Sequence, residues 1–491
     1  QAEFPPGVTS LTDIPGIGPK TAMRLSRELG VSSADELEKA IQEGKVAQLS
    51  RMGQKSAENM LHAIQALRRK DQRIPLGEAL PVVEEMLSQL KTIPGVRNLT
   101  AAGSLRRFRE TIGDIDLMGT ADNPEEVINS FANLPQVKEV LAQGSTKASV
   151  IVVGGLQVDL RLVEHDNFGS LLQYFTGSKQ HNILLRERAH RLGLKLSEYG
   201  ITDLETGKTE SFTTEEAYYA RQGLAYIPPE IREGGEEIAL AEAGTLPTLV
   251  EVGDIKGDFH VHTEASDGHE SIEEMALAAQ ARGYEYIAIT DHSVGLGVAR
   301  GLSLDRLRQQ VAEIKELRQR LGIHIFTGME LDIRADGSLD FPDEVLREVE
   351  VVVASVHSSM LQEQEKMTAR VLKALDNPYI HILGHPSCRL LGVRDPVQLD
   401  WEAVFQRAAQ KGKVLEINAM PQRLDLKDIH AYRARELGVK LVISTDAHSA
   451  AQLDLINYGV GVVRRGWCQP SDVINTWPLE KIKAFLAKNG E

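Results

Sequence analysis

The chain has 491 residues, with 55 Lys+Arg against 70 Asp+Glu and a formal charge of −15. That length suits about three domains of roughly 150 residues, and a composition of 42% hydrophobic and 25% charged residues excludes wholesale disorder. Two cysteines, Cys388 and Cys468, exclude a disulfide framework or a thiolate metal site. No apolar run nears the roughly 18 residues of a membrane span, and the acidic balance alone argues against a polyanionic partner. With no signal peptide ahead of the first motif, a cytoplasmic, membrane-free and monomeric protein is expected.

Residues 1–75 read as short helices broken by Gly and Pro. In Ile14-Pro15-Gly16-Ile17-Gly18-Pro19-Lys20-Thr21-Ala22, the glycines permit a tight turn. The helix that follows opens with unpaired backbone N–H groups, and Lys20 adds a point charge, a set that suits a phosphate. Met52-Gly53-Gln54-Lys55-Ser56-Ala57 repeats the pattern more weakly. Both stretches resemble the helix-hairpin-helix motif, although a plain helix–turn–helix connector has the same local form. The resemblance implies a grip on a nucleic-acid backbone through Gly16, Gly18, Lys20, Gly53 and Lys55.

Residues 76–165 mix helices with hairpin strands. Gly103-Ser104-Leu105-Arg106-Arg107 precedes Gly113-Asp114-Ile115-Asp116-Leu117, where two carboxylates two residues apart share one strand face. Asp159, in Val158-Asp159-Leu160, lies on the return strand of a hairpin turning at Gly154-Gly155. Clustered carboxylates repel unless a divalent cation neutralises them. Three converging from adjacent strands can hold two Mg²⁺ ions, which serve an in-line attack of a 3′ hydroxyl on a triphosphate.

Together with Tyr174-Phe175-Thr176-Gly177-Ser178, Asn182 and Arg186, these motifs resemble the family X DNA polymerases, the group of polymerase beta. The resemblance implies a nucleotidyltransferase palm over 76–165 and a thumb or nucleotide-selection domain over 166–248, a stretch that reads as helical with polar turns. It makes Asp114, Asp116 and Asp159 the metal ligands. It places Gly103, Ser104, Arg107, Gly113, Tyr174, Phe175, Gly177, Asn182 and Arg186 around the incoming dNTP. Three positions depart from polymerase beta: Gln157 where an Arg lies near the primer terminus, Ile112 for a small hydroxyl residue, and Lys179 for an Asp. The short stretch ahead of the first hairpin leads us to expect no lyase domain in this chain.

From Asp254 onward, apolar runs of strand length alternate with helical patterns, as in a parallel α/β layout. Ten of the fourteen histidines fall in this region, and six of its apolar runs end in His, Asp or Glu. In a β/α barrel all such strand ends meet on one face, where active sites are built. The set His260, His262, Asp267, His292, Glu330, His357, His385, Asp446 and His448 closely resembles the nine ligands of the PHP (polymerase and histidinol phosphatase) domain. The resemblance implies up to three metals over residues 254–491, with Glu330 bridging two. Imidazole and carboxylate without thiolate suit Mn²⁺ or Zn²⁺. His269, His324, His381 and His430 read as ordinary helix or surface residues, and Cys388 as no ligand.

The order hairpins, palm, thumb, PHP implies a multidomain α/β protein with a helix-hairpin-helix helical domain, an α+β palm, a thumb and a distorted β/α barrel. The expected function is a family X DNA polymerase that fills short gaps in gapped or primer-template DNA during repair. Its PHP domain would act as a 3′–5′ exonuclease or 3′-end phosphoesterase. The alternative is a small-molecule PHP phosphatase fused to a passive DNA clamp. On these grounds the charge argument against nucleic acid gives way, since five divalent ions would add about +10 locally.

Overall fold

The computed structural model describes residues 8–12, 14, 17–49, 52–71 and 73–488. They form two compact units, one of residues 1–74, 78–105 and 111–168, the other of 75–77, 106–110 and 169–491.

The first unit begins with small helices. Pro19 at the first turn, preceded by Gly18, starts the helix Pro19–Leu29, and Gly30 at φ 68° ends it. Ser33 caps the next helix, Ala34–Gln42, through Glu36 N. Leu11, Ile14, Ile17, Leu25, Leu37 and Ile64 bury one apolar core among them. A five-stranded sheet follows: β1 Val96–Ala101, β2 Ile115–Ala121, β3 Val137–Gln143, β4 Lys147–Val152 and β5 Gln157–Leu162, in the order β1-β2-β5-β4-β3. Only β2 and β5 run parallel. Along β5, Val158, Leu160 and Leu162 are buried while Gln157, Asp159 and Arg161 take the other face, the period of two that a half-buried strand requires.

In the second unit, the helix Lys179–Arg191 leads into a three-stranded antiparallel sheet, Leu194–Ser197, Gly200–Asp203 and Thr209–Glu210. This sheet corrects the reading of 166–248 as helices and turns. Strands of two to four residues are too short to print a period on the sequence.

The remainder is a nearly closed barrel of seven parallel strands that neighbour one another in chain order: β6 Gly257–Asp258, β7 Tyr286–Ile289, β8 His324–Asp332, β9 Val351–Ser355, β10 Ile382–Leu383, β11 Val414–Asn418 and β12 Lys440–Ser444. A parallel bridge from Val261 to Ala447 brings the first and last strand ends together. β7, β9, β10 and β11 are buried along their whole length, which explains the near-continuous apolar character of β7, β9 and β10. Phe259, Tyr286, Phe326, Val353, Ile382, Val414 and Val442 belong to one core cluster. Among the described residues no helix is long and apolar enough to cross a membrane.

Candidate active sites

The β4–β5 turn is the expected one, with Gly154 and Gly155 at φ 92° and 82°. It sets Asp159 directly beside Asp116 in the β2–β5 register, and Asp114 lies one residue ahead of β2. Burial pushes the Asp116 carboxyl up to about 7, with Asp114 and Asp159 adding to the shift and Arg161 opposing it. A divalent cation would relieve that strain, so the residues fit one. Among the described residues, the groups whose ligand atoms all lie within 4.8 Å of one another are in the barrel, and this triad is not among them. Gln157, which departs from polymerase beta, donates from Nε2 to both Asp159 oxygens at 3.1 and 3.2 Å. Gly103, at φ 60°, opens the short helix Gly103–Arg106, and Ser104 and Gly113 lie in the same unit as the aspartates.

Arg107, Tyr174, Phe175, Gly177, Asn182 and Arg186 belong to the second unit. Arg107 donates from Nη1 to the Thr176 carbonyl and from Nε to Glu233 Oε1 at 3.3 Å. Tyr174 and Phe175 meet edge to face, with centroids 5.3 Å apart. Asn182 donates to the Tyr174 carbonyl at 2.8 Å and accepts from Gln173 at 2.9 Å, so its amide braces the turn. Gly177 takes φ 66°, and Arg186 is exposed on the helix that follows. In the first unit, Gly18, Lys20, Gly53 and Lys55 stand at the openings of the helices Pro19–Leu29 and Gln54–Asp71, with both lysines exposed. Gly16 lies outside the described residues.

All nine expected barrel ligands converge. Glu330 on β8 is the hub: its carboxylate oxygens lie 3.3 Å from His260, 3.6 Å from His262, 2.9 Å from His292, 3.2 Å from His357 and 3.0 Å from His385. Asp446 Oδ1 sits 3.1 Å from His262 Nε2, and Asp267 lies 3.5 Å from both His292 and His448. The tight groups are His260-His262-Asp446, His262-Asp267-His292-His448 and His292-Glu330-His357. They overlap at His262 and His292, whereas the resemblance implies sets that share Glu330 alone.

The electrostatics follow from this crowding. Burial pulls His292 and His357 down, but Glu330 together with Asp267 at His292 and Asp332 at His357 outweighs it and leaves them at about 10 and about 9. Burial pushes Glu330 and Asp446 up, yet the surrounding imidazoles hold both well below the usual carboxylate range. Burial keeps His385 down at about 4. His260 Nε2, His262 Nδ1 and His385 Nδ1 are buried without a hydrogen bond. Buried nitrogens of this kind are costly unless a ligand satisfies them, so the donor set fits divalent metal.

Two residues escaped the sequence reading. Glu416 on β11 accepts from His260 Nδ1 at 2.7 Å and from the His385 backbone N–H at 2.6 Å. Asn418 donates to Asp446 Oδ2 at 3.0 Å. Both lie on Val414-Leu415-Glu416-Ile417-Asn418, an apolar run whose polar end, like those of the other six, would have found Asn418 but not the mid-strand Glu416. His381 is a further correction. It is buried, and its Nδ1 accepts from Val352 N at 3.1 Å, so it is a core histidine and not a surface one. Cys388 is buried too, and burial pushes its thiol up to about 12.

The SAM-like helix-hairpin-helix tandem family matches residues 8–66, the DNA polymerase beta thumb family residues 171–233, and the PHP domain family residues 258–420. A protein of Bacillus subtilis (strain 168), DNA polymerase/3′-5′ exonuclease PolX, is 42% identical over 492 residues, covering 100% of this chain and 86% of its own. A probable phosphatase of Thermoanaerobacter sp. (strain X514) is 30% identical over 243 residues, 47% of this chain and 93% of its own. A solved Leishmania infantum polymerase beta in a ternary gap complex covers 46% of this chain and 89% of its own, at 20% identity and a TM-score of 0.37.

Proposed function

Because this chain belongs to the family of the DNA polymerase/3′-5′ exonuclease PolX, we propose that Asp114, Asp116 and Asp159 carry its nucleotidyl transfer and the nine barrel ligands its exonuclease. The protein is a DNA-directed DNA polymerase with a PHP-domain 3′-5′ exonuclease, and it depends on divalent metal. The similarity to PolX runs the full length of the chain, so a small-molecule phosphatase on a passive clamp is not favoured.

In our reading, residues 1–75 bind DNA, 76–165 form the palm, 166–248 the thumb and 254–491 the PHP domain. The palm aspartates would hold two Mg²⁺ ions, and the barrel up to three Mn²⁺ or Zn²⁺ ions. Such ions, when bound, lower the pKa of water and neutralise charge on phosphoryl oxygens. Gly103, Ser104, Gly113 and Arg107 take the triphosphate of a dNTP, while Tyr174, Phe175, Gly177, Asn182 and Arg186 frame its sugar and base. Gln157 keeps Asp159 in one rotamer through two hydrogen bonds. Glu416 accepts the Nδ1 proton of His260 and so presents its Nε2 lone pair to the centre. Asn418 holds the Asp446 carboxylate by donating to its Oδ2. Gly18, Lys20, Gly53 and Lys55 grip the backbone of gapped or primer-template DNA in short-gap repair.

The observation that carries the exonuclease half is the five imidazoles within 3.6 Å of one buried carboxylate, Glu330. Incubating a labelled gapped duplex with Mg²⁺ or Mn²⁺, with and without dNTPs, tests both halves. Asp116→Ala should abolish extension and spare degradation, and His262→Ala the reverse. Extension that survives Asp116→Ala would sink the palm assignment.

A further inference from the structure

The five residues Arg106–Glu110 lie between Ser104 and the palm aspartates in sequence, yet they pack with the unit that contains the barrel. Three attachments from the barrel's own residues hold them there. Phe108 stands against the helix Ile456–Arg465 at Gly461, where a Cβ would fall 2.0 Å from its ring, and edge-on to Tyr458 with centroids 6.2 Å apart. Arg465, on the last turn of that helix, donates from Nη1 to the Arg107 carbonyl at 2.7 Å and to Glu233 Oε1 at 2.9 Å. Arg389 pairs with Glu110 at 2.8 Å. Asp428 fixes Arg465 from behind at 2.7 Å, and the Arg465 side chain is 5% exposed.

Glu233 is shared, since its Oε1 also accepts from Arg107 Nε. Arg465 therefore constrains Arg107 twice, through the backbone carbonyl and through the carboxylate that orients the guanidinium. We infer that Arg465 and Gly461 of the PHP domain are positioning residues for the polymerase reaction, holding the loop that presents Arg107 to the incoming nucleotide. The inference rests on the assignment of Arg107 to the triphosphate. Its physical basis is that misplacing a positioning group by about 1 Å can cost as much as 10²-fold in rate.

The test measures KM and kcat for dNTP in single-nucleotide gap filling, with exonuclease rates on the same full-length proteins. Arg465→Met should raise the dNTP KM about 10-fold, change kcat little and leave exonuclease rates as in the wild type. Arg465→Lys, which retains a charge and a donor, should restore part of the loss. Gly461→Leu should act the same way by displacing Phe108, with Gly461→Ala as the milder form should the larger side chain prevent folding. In the double variant Arg107→Ala/Arg465→Met the KM effects should not add, because both act through one guanidinium. An unchanged KM in Arg465→Met, or equal loss of both activities, overturns the inference. An unchanged KM in Arg107→Ala removes the underlying assignment instead.

Discussion

At the scale of single residues, the barrel centre shows how much of a candidate metal site lies behind the residues that would hold the ion. Glu416 is fully buried, and it accepts from His260, from the His385 backbone and from Asn418 at 3.3 Å. Supporting partners of this kind are worth about 10–100-fold in metal affinity or activity. Glu416→Gln should lower exonuclease activity and Mn²⁺ affinity by that order while gap filling stays intact, as metal titration and paired assays would read. The nine converging residues were legible in the sequence because each lies in or just beyond an apolar run, or one short turn away in the case of Asp267. Glu416 was not legible, since it sits inside its run and a single mid-strand carboxylate usually marks a solvated face. Gln157 was legible only as a departure; its hold on Asp159 needed the side-chain geometry.

At the scale of elements, the thumb is braced by a buried charge network. Glu215, at the start of the helix Glu215–Ala220, accepts from Arg106 at 2.6 Å and from Arg232 at 2.5 Å, and both Glu215 and Arg232 are buried. Burial pushes its carboxyl up, but the two guanidinium groups outweigh it and hold it at about 2, against an ordinary 4.5. A depressed carboxylate pKa contributes stability that is present above about 4.5 and lost as pH falls through about 2. Glu215→Gln leaves two cations without their counter-ion, which costs about 3–5 kcal/mol for a buried pair. Urea unfolding should show that deficit at pH 7, and the wild type and variant should converge as the solution is acidified toward pH 2. None of this network announces itself in sequence, because its members are 109 and 17 residues apart. The small sheet beside it was equally hidden by its short strands, whereas the seven-strand barrel was legible as β/α alternation.

At the scale of the whole molecule, the barrel gathers four carboxylates and several unsatisfied imidazoles at one end, so bound ions should stabilise the native chain strongly. Binding to the native state alone adds RT ln(1 + [L]/Kd), about 2.7 kcal/mol at a hundredfold excess over Kd. Removing divalent ions with a chelator should therefore lower the melting temperature by several degrees in the wild type. In His262→Ala the shift should be much smaller, as calorimetry with and without Mn²⁺ would show. The helix-hairpin-helix and PHP motifs could be found in the sequence because each is a local pattern. The partition of the chain could not, since residues 75–77 and 106–110 leave the first unit and return to it. That threading has an evolutionary consequence. The junction near residue 250 looks in the gene like a place where two enzymes were fused and could be parted again. A lineage that discarded the downstream half would also discard Gly461, Arg465 and Arg389, the seat of the Arg106–Glu110 loop, and its polymerase would hold the incoming nucleotide more weakly until a new seat evolved.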